Sequence, residues 1–157
     1  MEFPVQTISI TTTEHNLSGY FYVMFENHIS EKIFAAAKTN ELKAKLEVIP
    51  SIGTVLVSQT QNHFDKRWHI TFLTSRGEMS GLQVSIDEPA LRSNFKTTTQ
   101  GPGTLLGTDV EISVSVDVKS YDGMEKQRIE TTCPDSSSRI HGVFQISFGG
   151  ASTRFVL

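Results

Sequence analysis

The chain has 157 residues, 38% hydrophobic and 20% charged, which suits a packed core and excludes wholesale disorder. Its net charge of −3 and 14 scattered Lys and Arg offer no basic run to neutralise phosphates, so nucleic acid is not an expected partner. No apolar stretch is long enough for a membrane-spanning helix, and the opening MEFPVQTISI lacks the basic and apolar regions of a signal peptide.

Val5–Thr12 and Gly19–Phe25, rich in β-branched and aromatic residues, are the first expected strands. Between them Asn16-Leu17-Ser18 is a sequon in an expected loop, which makes Asn16 a candidate glycosylation site. In SGYFYVMF, Phe21, Val23 and Phe25 share one face and Tyr20, Tyr22 and Met24 the other. A strand apolar on both faces is either covered by the helix or part of the core, or it presents an apolar patch to a partner; both readings are open. Lys32–Phe34 is a short strand candidate. TNELKAKLEV, residues 39–48, then breaks the period-two pattern with helix formers. Leu42 and Leu46 fall on one helical face, and Thr39 stands where a cap is expected. Pro50 ends the helix and Gly53 turns the chain into a strand over Thr54–Ser58.

Further along, Trp68, Ile70 and Phe72 alternate with His69 and Thr71, and Leu82, Val84 and Ile86 with Gln83 and Ser85. Residues 88–109 read as a long polar connection containing the Gly/Pro-rich bend QGPGTLLG. VEISVSVDV, 110–118, is the clearest alternation, with Val110, Ile112, Val114, Val116 and Val118 on one face. A second polar connection follows at 119–126. Short strands at this spacing with one small helix predict an all-β fold, an immunoglobulin-like β-sandwich.

The opening then recurs. Gln6 and Ile8 match Gln127 and Ile129, and Gly19, Phe21, Val23 and Phe25 match Gly142, Phe144, Ile146 and Phe148. Ile33 falls opposite Val156. This predicts a tandem repeat, with a first sandwich over residues 1–120 and the opening strands of a second, incomplete copy over 121–157. The apolar residues of that second copy, Phe155 and Leu157 among them, need cover. Either they dock on the first repeat, or an open edge pairs with another chain by strand addition. In the second copy Val143, Gln145 and Ser147 stand where the first has Tyr20, Tyr22 and Met24. That difference marks Tyr20, Tyr22 and Met24 as the candidate contact surface.

The residues Gln6-Thr7-Ile8, Gly19/Phe21/Phe25, IPSIGTV at 49–55 and Trp68–Leu73 carry a resemblance. Residues 5–84 are similar to a tandem β-sandwich repeat of large surface or secreted proteins, as in fibrocystin-L-like and filamin/IPT-like arrays of algae, oomycetes and other protists. Related repeats occur in bacterial surface and phage structural proteins. The family pattern has an aspartate and a proline after Gly77, where this chain has Glu78, Met79 and Ser80. The resemblance implies a mechanical or spacing module of an extracellular array, with Phe21, Phe25, Leu42, Leu46, Trp68, Ile70 and Phe72 as core.

No candidate chemistry outweighs that reading. His15, His28, His63, His69 and His141 are far apart in sequence with no second ligand at metal spacing, and zinc needs three or four convergent ligands. Asp109, Glu111, Asp117, Asp122 and Glu125 suggest calcium between repeats, but they lack a spaced ligand loop and read as solvated. Cys133 is the single cysteine, so no internal disulfide forms; Pro134 and Asp135 supply no base to activate it, and an intermolecular disulfide is a further option. GPGTLLG follows coil and leads into a strand, unlike a phosphate-binding loop. The expectation is therefore a structural protein without cofactor, metal or catalytic site, outside the cell or on its surface, whose partner is itself. A carbohydrate- or ligand-binding module with Tyr20, Tyr22 and Trp68 as stacking residues is the alternative.

Overall fold

The computed structural model describes residues 3–74, 79–101, 103–118, 143–148 and 151–156, the last two ranges as backbone. Two compact units divide the chain, Met1–Met124 and Glu125–Leu157. Cys133, His141, Asp122, Glu125 and Leu157, and the Phe155 side chain, lie outside the described part.

The first unit is built from two five-stranded antiparallel sheets and one short helix. Strand β1 (Val5–Thr11) and strand β2 (Ser18–Phe25) are each the hub of one sheet. Short strands β3 (His28–Ile29) and β4 (Ile33–Phe34) follow, then helix α1 (Thr39–Glu47). Strands β5 (Val55–Gln61), β6 (Asp65–Phe72) and β7 (Gln83–Ser85) come next. A single 3₁₀ turn at Arg92–Asn94 precedes β8 (Thr98–Gln100), β9 (Leu105–Leu106) and β10 (Glu111–Val118). The first sheet runs β5-β6-β1-β10-β8. Every strand of the second pairs with β2: β3 and β4 along one side, β7 and β9 along the other.

Register explains the core. Ile8 stands opposite both Trp68 and Val114, and Ile10 opposite Lys66 and Ile112, so the even positions of three strands point the same way. The second sheet answers with Phe21, Val23 and Phe25 from β2 and Val84 from β7, all buried. The two sets meet directly: Phe21 lies 5.8 Å from Trp68 and Phe25 6.3 Å from Phe72, centroid to centroid. Leu42 and Leu46 of α1 join the same cluster, as the four-residue spacing predicts. The helix packs on β5, in the first sheet, and so is not the cover of the outer face of β2. Its N-cap is Lys38 and not Thr39; the Glu41 carboxylate accepts the Lys38 N–H at 2.8 Å and satisfies that end.

Buried polar side chains do backbone work. Gln6 faces inward, donates its amide to the Ser80 carbonyl at 3.0 Å and accepts the Leu82 N–H at 2.7 Å, which ties β1 to the approach of β7. Beside β2, β3 and β4 are one returning strand broken by a shift of register. There Ser30 donates its N–H to the Val23 carbonyl and accepts the Val23 N–H on Oγ at 2.9 Å. Glu26 and Asn27, both at positive φ, form the two-residue turn between β2 and β3. Gly19 has φ +88, and a Cβ there would meet the Thr104 carbonyl oxygen, so two constraints require glycine.

In three further places the structure differs from the sequence reading. Residues 88–109 contain β8 and β9 instead of connection alone. Strand β5 continues past Ser58 to Gln61. The apolar face of β10 runs off the core, with Ile112 buried but Val116 47% exposed.

The second unit contains β11 (Val143–Phe148) and β12 (Ala151–Val156), an antiparallel pair in which Phe148 stands opposite Ala151 and Val143 opposite Val156. No helix among the described residues is long and apolar enough to cross a membrane.

Candidate functional site

The outer face of β2 gathers a convergent set of side chains. Tyr20 and Tyr22 stand two apart on that face, their rings edge-to-face at 5.9 Å. Pairing with β4 sets Phe34 opposite Tyr20, with ring centroids 6.1 Å apart. Pairing with β3 sets Ile29 opposite Met24. One carboxylate, Glu88, closes the cluster: it accepts the Tyr20 hydroxyl and, at 3.0 Å, the Tyr22 hydroxyl. Lys32 Nζ lies 3.3 Å from the same oxygen and 4.4 Å above the Tyr20 ring, so it serves as ion-pair and cation–π partner at once.

The electrostatics follow from these contacts. The Tyr20 hydroxyl first, then Tyr22 and Lys32, hold the Glu88 carboxyl below its ordinary range. Burial, reinforced by the neighbouring carboxylate, pushes the Tyr22 hydroxyl up. The hydrogen bond to Glu88 raises the Lys32 amine. Tyr22 is only 8% exposed and acts as a support, whereas Phe34 is 59% exposed and presents its ring outward. Tyr20 and Met24 are half-buried. The arrangement is an aromatic platform with its hydroxyls pinned, suited to contact by stacking and burial.

Trp68 does not join it. Fully buried behind the first sheet, it is a core residue and unavailable for ligand stacking. Asn16 is exposed, but its amide is engaged: Nδ2 donates to Thr108 Oγ1 at 2.9 Å and to Glu14, while Oδ1 accepts the Thr108 N–H.

Two clusters escaped the sequence reading because their members lie far apart along the chain. On the outer face of the first sheet, the buried Thr7 hydroxyl donates to Asp117 and stands 2.8 Å from His69 Nδ1. Ser115 donates to the other Asp117 oxygen at 2.8 Å. The residue types are those of an acyl-transfer triad, but here the hydroxyl sits between imidazole and carboxylate. Its proton goes to Asp117, so the cluster staples β1, β6 and β10. At the turn end, His15 and His63 meet with centroids 5.4 Å apart, beside Phe64. Among the described residues no group of three or more His, Cys, Asp or Glu could hold a metal ion. Asp109 pairs with Thr13, Glu111 with Gln100 and Asp117 with Thr7, so these three of the acidic residues considered for calcium face separate partners.

No family model, curated protein or solved structure matches the chain.

Proposed function

We propose that this chain is a structural module of an extracellular or cell-surface assembly, acting by self-association and spacing. On this reading the first unit is an immunoglobulin-like sandwich and the second unit opens a tandem copy. The tandem reading is supported by the hairpins: the matched segments 18–25 and 143–148 each lead into an antiparallel partner, with Phe25 opposite His28 and Phe148 opposite Ala151. The observation that carries the function is the pinned aromatic platform. Half-buried Tyr20 is held by Glu88 and Lys32 and lies 6.1 Å from the ring of exposed Phe34, so little entropy of the Tyr20 side chain is lost when a partner covers the pair.

Tyr20→Ser combined with Phe34→Ser leaves the core untouched and should reduce the concentration-dependent association of the full chain, measured by light scattering, with an unchanged circular dichroism spectrum. Unaltered association would sink the reading. A glycan-binding module is the second reading, favoured by an aromatic ring flanked by a carboxylate and an amine, groups that recognise a sugar's face and hydroxyls. Retention on a glycan array that disappears with Tyr20→Ser would favour it over association.

A further inference from the structure

Strand β5 is one edge of the first sheet, and its hydrogen-bond phase can be read from its ends. Leu73 donates to the Thr54 carbonyl at 2.9 Å, and Asn62 to the Asp65 carbonyl at 2.8 Å. Alternation along the register then makes Leu56–Thr71, Ser58–His69 and Thr60–Arg67 the bonded pairs with β6. The backbone groups of Val55, Val57, Gln59 and Gln61 therefore point away from the sheet.

Val55 is already occupied. Its N–H donates to Glu47 Oε1 at 3.0 Å and its carbonyl accepts Lys43 Nζ at 2.9 Å, both from α1. Among the described residues nothing comparable meets Val57, Gln59 or Gln61. The segment VLVSQTQ also lacks the devices that blunt an edge: it holds no proline, no glycine and no charge. The three open residues are symmetric about Gln59, and an edge with that symmetry fits a copy of itself.

We infer that β5 of one chain pairs antiparallel with β5 of a second copy across a two-fold axis at Gln59. Val57 then faces the partner's Gln61, Gln59 faces its counterpart, and Ser58 faces the partner's Thr60. All open N–H and C=O groups are consumed and no like charges meet. The capped Val55 and the turn after Gln61 stop the pairing at both ends, which selects this register over its neighbours. The inference rests on the self-association reading, but it uses a surface distinct from the platform on β2.

Sedimentation of the full chain over a concentration series tests it with two edge variants. Gln59→Pro removes an N–H that the sheet does not use, as edge prolines do. Ser58→Lys with Thr60→Lys sets like charges opposite each other across the new interface at two exposed positions. Each should weaken dimer formation about tenfold or more while thermal unfolding stays close to wild type. If both edge variants associate like the wild type while Tyr20→Ser with Phe34→Ser does not, the edge inference is overturned and the association reading survives. A wild type that stays monomeric at high concentration overturns both.

Discussion

Lys66 occupies a position that an alternating strand reserves for an apolar side chain, two residues before Trp68 and on the same face. It is buried, with its amine donating to the Ala35 and Ala37 carbonyls at 2.6 and 3.1 Å and lying 4.6 Å from the Trp68 ring centre. Those two carbonyls belong to the segment leading into α1, so one amine replaces the donors a strand would have supplied there. Burial pushes its pKa down. In the pH window between that lowered value and the ordinary lysine value of about 10.4, the unfolded chain binds more protons. Stability contributed by this site therefore rises with pH across the window. Lys66→Met keeps the stem and removes the donors, so denaturant unfolding near neutral pH should show a loss of about 1–3 kcal/mol. The pH slope due to this group should vanish with it; a variant as stable as the wild type and equally pH-dependent would contradict this account. Lys66 was illegible in the sequence because a charge beside alternating apolar residues reads as the solvent face.

Among the elements, β2 carries the second sheet alone, since each other strand in it pairs with β2 and with no other named strand. Its approach depends on Gly19. Gly19→Ala places a side chain at φ +88 against the Thr104 carbonyl and should cost roughly 1–3 kcal/mol. Thermal unfolding measures this, and an unchanged midpoint would mean that the chain relaxes around the new methyl group. The alternation in β1, β2, β6 and β10 and the Leu42/Leu46 pair were readable because each repeats a spacing that geometry imposes. The strands β8 and β9, three and two residues long, were not, because so short a run has no period. The candidate site divides in the same way. Tyr20, Tyr22 and Met24 were legible as one face of one strand, whereas Glu88, Lys32 and Phe34 reach them only through strand pairing and a loop.

At the scale of the whole molecule, the first unit carries two proposed association surfaces, the aromatic platform on β2 and the open edge of β5. Two surfaces on one module allow growth beyond a dimer, which a spacing unit requires and a simple two-fold partner does not. On the proposed tandem reading, the antiparallel pair of β11 and β12 points the same way, since repeats build an array. The most direct measurement is sedimentation velocity of the wild-type full chain over a wide concentration range. The account predicts a sedimentation coefficient that climbs with concentration past the dimer. A single-chain value at every concentration would contradict it.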